Sequence, residues 1–488
     1  MTDTAPPADL LPATRRALFH RIAVGQAEGR APSLVGAVVR DGQLVWSGAR
    51  SAPGGPAPDA DTQYRIGSIT KTFVAVLVLR LRDEGLLDLA DPVRKHLADP
   101  LAVADVDPAV GDATVAQLLA HLSGIAAEAR GPWWERTPGD LRPELGDVFG
   151  ERPQRLPAGR TFHYSNPGYA LLGALVEELR GAPWGEVLHR EVLAPLGMTR
   201  TSVTPQQPHA QGWAVHPWAD VVQREAVEEM GRMGPAGQLW STAADLARFA
   251  VFLARGDDRV LSAATLAEMR QPAAPPEGSA WDGSYGLGLQ VARRNGRLLF
   301  GHTGSMPGFL ATLWVSHDEG LAGIALANAT SGPFASTIAA DLVRIVAEHE
   351  PPVPEPWSPL TDVDPELLAL TGDWYWGTHA YVLRLNAGRW LELSPLRGSG
   401  RGSRFRPEPD GTWTGLDGYH AGETLRVVRT EPTARTAEGD RPTGPTGPTT
   451  HLDVGTFVFT REPYEPSGVV PGTIDPAGWH GRPAADQG

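Results

Sequence analysis

The hydrophobic positions change period several times along the chain, and each change marks an element. Residues about 8 to 27 carry apolar residues at helical spacing and read as an amphipathic helix. Ser33–Arg40 and Gln43–Ser51 read as two strands joined by Asp41-Gly42, the strongest short hairpin signal. From Phe73 to Leu81 apolar residues hold nearly every position, which predicts a helix buried on all sides. Residues 85 to 280 look mostly helical and loop-rich, with Thr114 placed to cap Val115–Leu122, a helix at about 168–180, and Thr242 capping another at 243–254. Strand patterns return at Tyr285–Ala292, Arg297–His302, Leu310–Ser316 and Gly320–Ala327, followed by a helix near Phe334–Glu348.

Strands at both ends with helices between predict an α/β (α+β) architecture. One antiparallel sheet, built from the N- and C-terminal parts, is flanked by helices and carries an inserted helical lobe. A cleft between sheet and lobe is the expected place for a site. Trp133, Trp134, Trp213, Trp218 and Trp240 lie in or beside the connections, where they either line that cleft or pack loops. Residues 1–350 are therefore assigned to this domain. A stiff proline-rich linker spans 351–361, and behind it short alternating segments such as Tyr381-Val-Leu-Arg-Leu and Arg389-Trp-Leu-Glu-Leu predict a small all-β sandwich or barrel over 362–462. Glu431–Thr450 reads as a flexible excursion within it, and 463–488 as a flexible tail.

Composition narrows the classes. The 488 residues are 41% hydrophobic and 20% charged, as in globular proteins, and the net charge of −14 argues against nucleic acid as a partner. With no cysteine, disulfides, zinc–thiolate sites and cysteine nucleophiles are excluded. The first residues lack a basic and apolar leader, and no apolar run approaches the ~20 residues that span a bilayer, so a cytoplasmic protein with no membrane partner is expected. His163, His317 and His379 lack zinc-ligand spacing and read as structural; no metal and no cofactor is expected. The oligomeric state stays open.

The candidate chemistry begins at the mouth of the buried helix. Ser68 and Lys71 stand at i and i+3, so hydroxyl and amine share one face. The first helical turn, with its free N–H groups, favours an oxyanion. A lysine among apolar residues loses hydration of its charged form and can take a proton from serine. Lys71 and Lys95 are the only lysines, and arginine fills the other 41 of 43 basic positions. Arginine stays protonated and could not serve as base. A second proton carrier is offered by Tyr164, two residues before Asn166 in Phe162-His-Tyr-Ser-Asn-Pro-Gly-Tyr169. If Phe300-Gly-His-Thr-Gly-Ser-Met-Pro-Gly308 forms a strand edge on the cleft, the backbone N–H groups of Ser305 and Ser68 would make an oxyanion hole. The Gly-x-Ser-x-Gly of the α/β-hydrolases is absent around Ser68.

Ser68-x-x-Lys71, Tyr164-x-Asn166 and His302-Thr303-Gly304 resemble the three signature motifs of the serine β-lactamase and penicillin-binding protein superfamily, in its class C β-lactamase-like branch. Thr114–Gly124, Gly234–Phe249 and Tyr285–Leu289 resemble further segments of that branch, and the likeness covers about residues 10 to 350. The resemblance implies an acyl-enzyme on Ser68, Lys71 and Tyr164 as proton shuttle, and Asn166, His302, Thr303 and Gly304 as substrate-binding. No Glu-x-x-Leu-Asn of the class A type is present, which fits tyrosine-assisted deacylation. The family's third motif usually begins with lysine; His302 is charged only near or below ~6.5, so a fixed cation for a substrate carboxylate is lost. Relatives with histidine there resemble esterases, D-amino-acid amidases and peptidases, and stand-alone thioesterases that cyclise nonribosomal peptides, the last often with an extra lipocalin-like β-domain. The expected activity is hydrolysis of an ester, or of an amide next to a D-residue, through acyl-Ser68. Transfer of the acyl group to an amine is one alternative, and a silent ligand-binding protein is the other.

Overall fold

The Asp41-Gly42 pair sits in a turn with both residues in the left-handed region, φ +52° and +85°, which matches the twist of the strands it joins. In this computed structural model, which describes residues 9–55, 57–131, 144–150, 152–274, 282–354, 356–387, 390–430 and 447–465, those strands are β1 (Ser33–Arg40) and β2 (Gln43–Ser51). They join β3 (Gly283–Tyr285), β4 (Gln290–Arg294), β5 (Arg297–Met306), β6 (Phe309–Ser316) and β7 (Leu321–Ala327) in one sheet of order β2-β1-β7-β6-β5-β4-β3. β1 runs antiparallel to β7, from Leu34 opposite Ala327 to Arg40 opposite Leu321, so the two ends of the segment meet within one sheet.

Both faces of the sheet are covered. On one, α1 (Pro12–Glu28) and α5 (Ala335–His349) bury Leu18, Ile22, Ile338, Leu342 and Val343 with Trp314 of β6. On the other lies the larger core, centred on α2 (Thr70–Asp83) with α3 (Asn166–Arg180) and α4 (Ala243–Arg255). Every residue of α2 from Thr70 to Leu79 is buried, as its unbroken apolar run predicts. Thr242 caps α4 by accepting a hydrogen bond from the Asp245 amide, and Ser165 caps α3 from the Gly168 amide.

Several expectations shift in detail. Tyr285–Ala292 is two strands rather than one, because Gly286–Leu289 turns between β3 and β4 with Gly288 at φ +78°. The helix after Thr114 stops at Leu119, and His121 takes φ +57°. The middle segment also holds a small hairpin, Trp213–Val215 with Val222–Arg224. Trp218 is exposed, Trp240 is fully buried against Phe309, and Trp133 and Trp134 lie outside the described residues.

The chain divides into two compact units, Met1–Pro352 and Val353–Gly488. In the second, β8 (Gly372–Trp376), β9 (His379–Leu385), β10 (Leu391–Pro395), β11 (Ser403–Pro407), β12 (Trp413–Gly415), β13 (Thr424–Arg429), β14 (Thr449–Val454) and β15 (Phe457–Thr460) form a closed antiparallel barrel. Trp374, Leu383, Leu391, Leu393, Phe405 and Leu452 are among the side chains that pack its buried core. Most of the 431–450 excursion and all of the tail beyond 465 lie outside the described residues. Among the described residues no helix is long and apolar enough to cross a membrane.

Candidate active site

The serine is delivered by a short irregular approach to α2. Tyr64-Arg65 pair with Trp240-Ser241, the Ile66 amide donates to Leu239 O at 2.9 Å, and the Thr70 hydroxyl accepts from the Leu239 amide at 3.2 Å. Gly67, at φ +52°, turns the chain into a single 3-10 turn, Gly67–Ile69, that runs straight into α2. Ser68 is therefore half a turn earlier than the regular helix, and Lys71 is in its first turn. Lys71 is 0% exposed; its Nζ donates to Ser68 Oγ at 2.9 Å and to Ala236 O at 2.6 Å.

The Phe162–Asn166 loop closes one side. Lys71 Nζ lies 4.9 Å from the Tyr164 ring centroid and 5.6 Å from that of Tyr169. Asn166 opens α3, and its Nδ2 donates to Glu128 Oε1 at 2.9 Å. Asn166 is nearly buried while Glu128 is exposed, so the pair reaches from the site to its rim.

β5 closes the other side at backbone contact. A Cβ on Gly304 would lie 1.9 Å from Ile66 O and 3.2 Å from Ser68 N, and one on Gly67 would lie 2.7 Å from Ser305 N. The Gly67-Ser68 and Gly304-Ser305 backbones therefore lie in direct contact. Thr303 is held by Gln290 of β4: its amide donates to Oε1 at 3.1 Å and its hydroxyl accepts from Nε2 at 3.2 Å. Phe162, Tyr164, Tyr285, Gln290 and Thr303 line a cavity of about 320 Å³.

His302 is 1% exposed, with Nδ1 at 2.5 Å from Thr303 O and Nε2 at 2.9 Å from the Tyr285 hydroxyl. A neutral ring satisfies both contacts, with Nδ1–H donating and Nε2 accepting from the phenol. Burial, reinforced by the Lys71 charge and opposed by the bond to Thr303 O, pulls its pKa down to about 3. His121 is also fully buried, and burial with the nearby Lys71 pushes its pKa well below the usual histidine range. Its ring lies among those of Phe162, Tyr164, Tyr169 and Tyr285. Burial raises Tyr285, with Tyr169 and Tyr164 adding to the effect.

Of the residues singled out from sequence, Ser68, Lys71, Tyr164, Asn166, Thr303, Gly304 and Ser305 converge on this cleft, and His302 lies beneath it with both nitrogens bonded. His121, Tyr285, Glu128 and Gln290 were not singled out. His121 and Tyr285 fall inside family-like segments, whereas Glu128 and Gln290 sit in no pattern that distinguishes them from surface polar residues. Among the described residues no group of three or more His, Asp or Glu could hold a metal ion.

A helical lobe over an antiparallel sheet, with a serine bonded to a buried lysine at their junction, defines a class of serine hydrolases. The chain belongs to the β-lactamase family, whose model matches residues 18–348, and it is a serine hydrolase. Residues 363–461 match a domain of unknown function, DUF7586. Penicillin-binding protein 4 of Amycolatopsis lactamdurans is 31% identical over 346 residues, 65% of this chain and 86% of that protein. A D-stereospecific amidohydrolase from a Streptomyces species superposes with TM-score 0.56 and 27% identity, covering 71% of this chain and all of that one. SurE with D-Leu gives TM-score 0.54 and 25% identity over 93% of this chain and all of that one.

Proposed function

We propose that the protein hydrolyses an ester, or an amide next to a D-residue, through an acyl-enzyme on Ser68. The observation that carries this is the 2.9 Å bond from the fully buried Lys71 Nζ to Oγ of the partly exposed Ser68. In the neutral amine form Lys71 takes the hydroxyl proton as Oγ attacks the carbonyl. The Ser68 and Ser305 amides hold the oxyanion, and Tyr164, beside Lys71, passes the proton to the leaving group. Water then repeats the sequence in reverse to release the acid.

The surroundings favour a donor without a carboxylate beside the scissile bond. His302 is neutral and occupied, and the exposed Glu128 on Asn166 brings negative charge to the rim, which suits an α-ammonium instead. The names of the Streptomyces amidohydrolase and of the D-Leu complex of SurE fit a donor with a D-residue.

Intact mass of wild type and Ser68→Ala after incubation with a short activated ester, a D-residue peptide thioester and a penicillin tests the reading. An adduct confined to wild type is expected, strongest with the ester or D-peptide donor. Equal labelling of Ser68→Ala sinks the assignment, and a released product lighter by one water than the acid shows an amine acceptor in place of water.

A further inference from the structure

We infer that His121 is the positioning residue for Tyr164, gripping the chain on both sides of it. The His163 amide donates to His121 O at 2.8 Å, and the Ser165 amide donates to His121 Nδ1 at 3.0 Å. Tyr164 is the residue between them. Its ring lies 4.1 Å from the imidazole, centroid to centroid, at a tilt of 33°. One residue therefore sets the height of the backbone at the amides on either side of Tyr164 and packs against the phenol between them.

The grip has features that simple packing does not require. His121 holds φ +57°, a conformation that non-glycine residues adopt at a cost of order 1 kcal/mol or more. That conformation turns its carbonyl and its ring toward the same loop. Because Nδ1 accepts, the proton is on Nε2. Nε2 is buried and makes no hydrogen bond among the described residues. A histidine fixed in one tautomer by an amide is a rigid spacer. The groups facing it are the rings of Phe162, Tyr164, Tyr169 and Tyr285 and the charges or potential charges of Lys71, His163 and His302. Lys71 favours the neutral imidazole, so the acceptor at Nδ1 persists while the site is charged.

This rests on the proposed proton shuttle through Lys71 and Tyr164. Two variants separate the acceptor from the ring. His121→Asn keeps an acceptor close to Nδ1 and tolerates the left-handed backbone; His121→Phe keeps a ring and loses the acceptor. The readouts are the rate of acyl-Ser68 formation with an activated ester, its saturation constant, and its pH profile. His121→Phe is expected to slow acylation by about ten- to a hundredfold, with the saturation constant within about twofold and the pH profile displaced. His121→Asn is expected to recover acylation to within about threefold of wild type and to restore the profile. Wild-type acylation in folded His121→Phe overturns the proposal. So does a folded His121→Asn that is slowed as much as tenfold, which decides the matter even if His121→Phe fails to fold. Ser68→Ala run alongside keeps the two readings apart: if it labels like wild type the active-site assignment has failed, and if it is silent while His121→Phe is normal only the positioning role has.

Discussion

His302 stands where the family usually carries a lysine, and its surroundings decide what it does. A histidine in water would titrate near ~6.5 and act as a switch at neutral pH. Here the ring is buried between Tyr285 and Thr303, and its pKa falls to about 3. Between ~6.5 and 3 the unfolded chain therefore binds a proton that the folded chain does not. Linkage makes stability rise with pH in that window, so His302 contributes stability above ~6.5 that drains away on acidification, at about 1.4 kcal/mol per pH unit. His121, shifted the same way, adds to the effect. Urea midpoints at pH 7 and pH 4.5 check this: His302→Gln should lose less stability across the interval than wild type, and an equal loss would show that His302 titrates normally. What sequence made legible at this scale was the residue type with an ordinary chemical liability. The loss of a fixed cation was readable from histidine; its burial beneath the site was not, because Tyr285 lies 17 residues away across two turns.

At the scale of elements, the site is a matter of backbone approach. β5 and the Gly67–Ile69 turn meet so closely that a Cβ on Gly304 would overlap Ile66 O at 1.9 Å. Backbone cannot yield cheaply there, so Gly304→Ala should push the strand off the turn and separate the Ser305 and Ser68 amides. We expect acylation of Ser68 to fall roughly a hundredfold while the protein still folds, since a displacement of about 1 Å has that order of effect. Near-normal acylation by Gly304→Ala would show that the two amides do not act together. Helices were legible where a cap and a period agreed, as at Thr242, and where apolar residues ran unbroken, as over Phe73–Leu79 of α2. The single strand expected over Tyr285–Ala292 is two, and its glycines are the reason. Gly286 has no room for a side chain, with Met269 O 2.0 Å from its Cβ position, and with Gly288 it makes the turn that separates β3 from β4.

The whole molecule contains separate cores, and that sets how damage spreads. The larger unit is held by the clusters on either side of its sheet, and the barrel by a third cluster drawn wholly from its own residues. The change from mixed helical and strand periods to short alternation behind the prolines signalled a β-rich segment. Closure into a barrel was not readable, because it depends on Tyr375 of β8 meeting Thr460 of β15, the two ends of that segment. Trp374 is the largest fully buried side chain of the barrel, its Nε1 donating to Leu370 O at 2.8 Å and the Arg461 guanidinium lying 4.0 Å from its ring centroid. Trp374→Ala should remove about 3–5 kcal/mol from that core alone. For a unit of this size the loss lowers the barrel's melting temperature by more than about 10 °C. Calorimetry of the full chain should then show one transition moved and the other in place, with Ser68 labelled at the wild-type rate. If both transitions move together, or if labelling falls with the barrel, the two cores unfold as one and the barrel supports the chemistry of the larger unit.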